Sequence, residues 1–256
     1  MRRAILMPTK DAIVVTGGGR GIGRATALLL AKRGERVVIG YARDAAAADQ
    51  VRAEIVAKGG DAVACKVDVT VEAEVVALFD TAEAFGRLKG LVNAAGIVEP
   101  DARVDAMTAD RLAKVFNTNV IGAFLCCREA VRRMSTAHGR AGGAIVNVSS
   151  MNSVHGGGGR AVDYGASKAA IDTLTVGLAR EVAREGIRVN CVRPAAIRTD
   201  ILRLDEHPGR LETYSNALPM GRIGEPIEVA KAIAFLLSEE DSAFTTAAIL
   251  NVSGGR

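Results

Sequence analysis

Seven short apolar runs, with helix-forming stretches between them, constrain this chain more than any other feature. They fall at residues 12–16, 36–40, 62–67, 90–93, 144–149, 187–192 and 248–252. Almost none alternates apolar with polar residues, as expected of strands covered by helices on both faces. Helical composition fills the intervals at 23–33, 45–58, 71–85, 108–136, 164–185 and 227–237. The expected architecture is therefore α/β, a parallel sheet between two helical layers. No linker or low-complexity tract divides the 256 residues, so a single domain spanning 1–256 is expected. Residues 195–224, with Pro208, Gly209, Pro219 and Gly221, have no such rhythm. A stretch of that length reads as a substrate-covering lid within the domain.

Composition narrows the function. Hydrophobic residues make up 49% and charged residues 24%, enough to build a core and too apolar for a disordered chain. The net charge of +4 is spread along the sequence, and Arg2, Arg3 and Lys10 are too short a basic start to bind nucleic acid. Cys65, Cys126, Cys127 and Cys191 form no CxxC pair, and no set of residues is spaced to hold a metal. Reduced, buried thiols in a cytoplasmic protein are expected. No apolar run approaches the ~18 residues of a membrane span, and the opening residues are too soon charged for a signal peptide.

Between the first strand and first helix lies Thr16-Gly17-Gly18-Gly19-Arg20-Gly21-Ile22-Gly23. Glycines there permit a tight turn and let backbone N–H groups meet a pyrophosphate at a helix N-terminus. The spacing is not GxGxxG and lacks the GK[ST] ending of a triphosphate loop, but its place after an apolar strand points to a dinucleotide. An acidic residue closing the second strand would bind the adenosine ribose and repel a 2′-phosphate. Tyr41 stands there instead, with Arg43 two residues on and Arg20 able to reach the same corner. Two guanidiniums favour NADP(H). Asp44 stands close enough to keep NAD(H) open.

Tyr164 and Lys168 are four residues apart at the start of the long fifth helical stretch, so phenol and ammonium share a face. A phenol with a pKa near ~10 needs a neighbouring cation to act near neutrality. Ser149 and Ser150 end the fifth strand at the carboxyl edge of the sheet, where a hydroxyl can meet a substrate carbonyl. Asn93-Ala94-Ala95-Gly96 offers close approach to a cofactor. Asn117 and Asn119 stand in a helical apolar run, where a polar amide must be satisfied or distort the helix. Asp68, ending the third strand, can accept from an adenine amino group.

These residues resemble the short-chain dehydrogenase/reductase family over residues 10–256, in the branch of bacterial 3-oxoacyl-carrier-protein reductases and glucose dehydrogenases. TGxxxGxG matches Thr16 through Gly23, NAAG matches Asn93 through Gly96, and YxxxK matches Tyr164 through Lys168. The resemblance implies a Rossmann-type, doubly wound three-layer sandwich with a seven-stranded parallel sheet, commonly as a homotetramer. It implies hydride transfer between nicotinamide and a carbonyl or alcohol, with Asn119, Ser150, Tyr164 and Lys168 catalytic and Ser149 the alternative serine. The cofactor contacts it implies are Gly17, Gly19, Arg20, Gly21, Ile22, Gly23, Tyr41, Arg43, Asp68, Val69, Asn93, Ala94, Ala95, Gly96, Tyr164, Lys168, Pro194, Ile197 and Thr199. Two departures stand out: Ala195 follows Pro194, and Ala247 follows Thr246, where the family usually has glycine.

The partner expected is a small-molecule carbonyl or alcohol, met by residues 98–103, 151–162 and 198–220. Rival readings are an NAD-dependent sugar or secondary-alcohol dehydrogenase of the same fold, and a non-catalytic dinucleotide sensor. A sensor would be expected to lose Tyr164 or Lys168.

Overall fold

The computed structural model describes residues 11–256; the basic start of Arg2, Arg3 and Lys10 lies outside the described residues. Seven parallel strands form one sheet in the order β3-β2-β1-β4-β5-β6-β7. They are β1 (Asp11–Thr16), β2 (Arg36–Tyr41), β3 (Ala62–Lys66), β4 (Arg87–Asn93), β5 (Gly143–Val148), β6 (Ile187–Pro194) and β7 (Ile249–Val252). The helices are α1 (Gly21–Lys32), α2 (Ala45–Ala57), α3 (Glu72–Phe85), α4 (Ala109–Phe116), α5 (Gly122–Met134), α6 (Asn152–His155), α7 (Val162–Val182), α8 (Arg210–Asn216), α9 (Pro226–Leu237) and α10 (Glu239–Ser242).

Apolar residues on both faces of each strand feed two separate cores. In β1, Val14 joins a cluster with Leu78 and Phe79 of α3, Cys126 and Ala130 of α5, and Ile171 of α7. Its neighbours Ile13 and Val15 face the other way, onto Leu30 of α1, Val51 and Ile55 of α2, and Val229 and Ile233 of α9. The fold is thus the three-layer Rossmann-type sandwich that the unalternating strands imply. Winding reverses between β1 and β4, which opens a crevice at their carboxyl ends.

Three local features depart from simple periodicity. The run 108–136 is not one regular helix: between α4 and α5 the turn Asn117–Ile121 widens to π geometry, with Gly122 N–H bonding back to Asn117 O. Residues 195–224 hold a parallel bridge between Ile197 and Gly224, one short turn at Asp200–Leu202, and α8. Ala196, Leu218 and Ile223 give this stretch a small apolar cluster of its own. Of the two replaced glycines, Ala247 adopts a left-handed φ of 61°; Ala195 is not among the positive-φ residues.

Candidate active site

The crevice opens into a cleft of about 530 Å³ running from Asp44 and Thr70 at one end to Ile201 and Leu202 at the other. Its floor is the turn after β1. Gly17 and Gly21 hold left-handed φ of 65° and 52°, which an L side chain adopts only under strain. At Gly23 a Cβ would lie 2.2 Å from the Gly17 carbonyl oxygen, so helix and turn close on each other only with glycine there. Thr16 locks the same corner. Its hydroxyl accepts from the Ala94 and Ala95 N–H groups at 3.2 and 3.1 Å and reaches Val92 O at 3.4 Å. The first turn of α1 has neither a side-chain cap nor an acidic residue. Uncapped N–H groups and the positive helix end therefore face the cleft, a fit for a pyrophosphate.

Of the cofactor residues expected from the sequence, Gly17, Gly19, Arg20, Gly21, Ile22, Gly23, Tyr41, Arg43, Asp68, Val69, Ala94, Ala95, Gly96, Tyr164, Lys168, Pro194, Ile197 and Thr199 line the cleft. Asn93 is not among the lining residues. Its amide turns inward, donating to Asn147 Oδ1 at 2.9 Å, and the Asn147 amide donates to Thr175 Oγ1 at 2.9 Å. Asn93 thus ties β4, β5 and α7 together from within. Arg20 reaches across the mouth to Asp200 at 3.5 Å. Asp44 caps α2, its Oδ1 accepting from Ala47 N–H at 2.9 Å.

Strand pleating separates the two serines. Ser149 is buried and donates to the Lys168 carbonyl at 3.0 Å, tying β5 to α7. Ser150 lines the cleft together with Tyr164. Ser150 Oγ accepts from Asn152 N–H at 3.1 Å, fixed by the short turn of α6. Both serines reach the cleft lining, but the Ser149 hydroxyl is committed to the Lys168 carbonyl, which leaves Ser150 the one facing the cleft with its hydroxyl uncommitted as a donor. Burial pushes the Tyr164 phenol up, and the nearby Ser150 hydroxyl pulls it partly back. Burial likewise brings Lys168 down to about 8, against the opposing pull of Cys191 and Asp172. Lys168 Nζ donates to Val148 O at 2.8 Å and lies 5.7 Å from the Tyr164 ring centre. In the protein alone, burial rather than the ammonium governs the phenol.

Asn119 is buried and does not line the cleft. Its Oδ1 accepts from Ile97 N–H at 2.8 Å, and its Nδ2 donates to Ile97 O at 2.9 Å and to Ser167 Oγ at 3.0 Å. Ser167 in turn donates to Tyr164 O at 2.7 Å. The amide is satisfied and its helix is widened around it, both consequences expected of an asparagine in an apolar helical run. A Cβ at Gly96 would come within 3.3 Å of both Asn119 Oδ1 and Lys168 Nζ. Glycine there lets the loop after β4 lie against the pair.

Sequence reasoning missed Lys114, Asn117 and Thr118 of the cleft, whereas Asp200, Ile201 and Leu202 fall within the expected substrate-contacting stretch 198–220. Asn117 had a signal, as the other amide in its run. Lys114 and Thr118 had none, because the tertiary fold alone brings them to the crevice.

Comparison with known proteins agrees with this geometry. Residues 17–256 match the family described as enoyl-(acyl carrier protein) reductase. The chain is 48% identical over 244 residues to the uncharacterized oxidoreductase YgfF of Escherichia coli, covering 95% of this chain and 98% of that one. It is 38% identical to a 3-oxoacyl-[acyl-carrier-protein] reductase of Synechocystis, covering 96% and 97%. The crystal structure of a dehydrogenase/reductase from Sinorhizobium meliloti superposes with a TM-score of 0.88 at 34% identity, covering 97% of this chain and 95% of that one. With a seven-stranded Rossmann-type sheet, a dinucleotide cleft and relatives matched end to end, the chain belongs to the short-chain dehydrogenase/reductase superfamily, as an NAD(P)-binding oxidoreductase of the carbonyl/alcohol couple related to the 3-oxoacyl-carrier-protein reductases.

Proposed function

We propose that this protein is an NADP(H)-dependent reductase of a small carbonyl substrate, working through Ser150, Tyr164, Lys168 and Asn119. The observation that carries the reading is that Ser150, Tyr164 and Lys168 line the dinucleotide cleft together. The bound cofactor supplies or accepts the hydride at its nicotinamide. A carbonyl oxygen placed between the two hydroxyls is polarised by both. Tyr164, kept protonated by burial, delivers its proton to the developing alkoxide, while Ser150 holds that oxygen in place. Lys168 carries positive charge beside the phenol as the proton leaves. Asn119 holds the loop at Ile97 and the helix at Ser167 in register, so it acts by position.

Arg20 and Arg43 at the cleft support NADP(H), since guanidiniums favour a 2′-phosphate. Asp44, a nearby carboxylate that would favour NAD(H), has one oxygen committed to capping α2. Residues 195–224 are read as the substrate cover of a single domain. Exposed Phe116, Ile121 and Phe124 on one side and Phe244 and Leu250 on another support a homotetramer. Burial pushes the Cys126 thiol up and the Cys127 thiol to about 12, which suits reduced cysteines in a cytoplasmic protein.

The test follows absorbance at the reduced-nicotinamide band with both cofactors against oxoacyl thioesters, small ketones, sugars and cyclic alcohols. NADP(H) is expected to give the higher kcat/KM, and equal or better turnover with NAD(H) would overturn the cofactor assignment. Tyr164→Phe is expected to lose at least 100-fold in kcat on the scale of general acid catalysis, roughly 10²–10⁴-fold. Full activity in that variant would overturn the mechanism. Calorimetric cofactor binding without turnover of any compound would favour the sensor reading.

A further inference from the structure

Among the buried ion pairs that the chemistry above leaves unused, one lies a single residue from Tyr164. Arg111 of α4 grips Asp163 of α7 at two points, Nε to Oδ2 at 2.8 Å and Nη2 to Oδ1 at 3.3 Å. The Asp163 side chain is 1% exposed and that of Arg111 13%. Asp163 Oδ1 also accepts the Tyr164 backbone N–H at 2.9 Å. The third arm of the guanidinium, Nη1, donates to Pro100 O at 2.6 Å, in the loop after β4. Burial pushes the Asp163 carboxyl up, but the Arg111 guanidinium and the Tyr164 N–H outweigh it and hold the group below the usual carboxylate range.

Such a pair gives no assured net stability, because desolvating two charges offsets much of their attraction. What it gives is direction. The residue preceding α7, Ala161, makes no side-chain cap, so Asp163 is the acidic group in the first turn, where the helix end is positive. A carboxylate free to rotate would fix little; one held by a two-point guanidinium fixes the turn that carries the phenol. Pro100, held by the same guanidinium, belongs to the loop whose Ile97 lines the cleft and is bound by Asn119. Neither Arg111 nor Asp163 lines the cleft.

We propose that Arg111 and Asp163 are positioning residues that set the Tyr164 hydroxyl against Ser150 and the Pro100 loop, touching neither substrate nor cofactor. The inference rests on the hydride-transfer reading above, in which Tyr164 is the acid. Misplacing a reacting group by about an ångström costs on the order of 100-fold. In the full-length protein, Arg111→Met and Asp163→Asn are expected to lower kcat roughly 10- to 100-fold. The Kd for NADPH by calorimetry and the KM for the best carbonyl are expected to stay within about twofold, since neither side chain reaches the cleft. Arg111→Lys, which keeps the charge but not the two-point grip, is expected to fall between these variants and wild type.

Arg111→Leu combined with Asp163→Leu removes both charges. It is expected to fold at least as stably as Arg111→Met while kcat stays low, which separates placement from stability. Hydrogen exchange at the Tyr164 amide is expected to speed up in Arg111→Met whether or not any carbonyl is turned over. An inactive wild type with faster exchange in the variant would therefore count against the reductase reading alone. Unchanged kcat in Arg111→Met and Asp163→Asn, a kcat loss matched by a loss of NADPH affinity, or unchanged exchange at Tyr164 would overturn the proposal.

Discussion

Side chain by side chain, what could be read in advance depended on how far away the partner lay. Tyr164 and Lys168 are a turn apart on one helix, and Ser150 ends a strand at the sheet's open edge, so local spacing was enough to nominate them. Weighing Ser149 against Ser150 required the tertiary fold, which commits the Ser149 hydroxyl to the Lys168 carbonyl and leaves Ser150 at the cleft beside Tyr164. Asn93 and Asn119 were visible as polar residues in apolar runs. Their partners, Asn147 and Ile97, lie 54 and 22 residues away, and no local pattern announces them. The expectation that Lys168 lowers the phenol pKa came from pairing charges on paper; burial, a tertiary property, pushes it the other way. A pH dependence follows. Lys168 is cationic below about 8 and neutral above it. Reductive kcat is expected to be level near neutrality and to fall as pH rises through that value, and a fall on acidification through the same range would contradict the assignment. Ala247 is another single-residue case, with its Cβ in left-handed backbone. Ala247→Gly is expected to raise stability by up to about 1 kcal/mol in urea unfolding, the relief of strain exceeding the entropy of the freer unfolded chain.

Elements were legible where apolar runs were long and illegible where a few residues turned a corner. All seven strands lay within a few residues of the expected runs, because strands buried on both faces carry no other signal. The one-turn α6, the π turn and the short pieces of 195–224 depend on tertiary contacts and left no periodicity. A strand can also carry a load that its pattern hides. Arg188 lies in apolar β6, yet its guanidinium donates to the carbonyls of Leu236, Leu237, Ser238 and Thr245 and to Ser242 Oγ. It closes the C-terminal end of α9 and holds the loop that follows. Arg188→Met is expected to destabilise the protein by about 3 kcal/mol, since it strips several acceptors at once. An unfolding midpoint equal to wild type would show that water replaces these bonds at no loss.

At the scale of the whole molecule, three segments far apart in sequence meet in one polar clasp. Asp101 Oδ2 accepts from Arg160 at 3.0 Å and from Arg210 at 3.1 Å, while Arg160 donates to the Tyr214 hydroxyl at 2.8 Å. The clasp joins the loop after β4, the glycine-rich loop before α7, and α8. Asp101→Ala is expected to speed tryptic cleavage within 195–224 several-fold with little change in global unfolding, because local opening draws on contacts that the main core does not share. Unaltered cleavage kinetics would show that the segment is held by its apolar cluster at Ala196, Leu218 and Ile223 instead.

The π turn at Asn117–Ile121 sets the phase of the chain around it. One residue more than α winding requires shifts everything downstream by about 100° about the helix axis. The face of α5 that meets the sheet, Cys126, Cys127, Ala130 and Met134, is thereby set independently of the face of α4 that carries Arg111. Substitutions in this turn outside Asn119 preserve that offset. Removal of any one residue would close the turn to ordinary winding and rotate either the thiols off the sheet or the arginine off its carboxylate. Apart from Asn119, this turn should therefore diverge in residue identity while keeping its length.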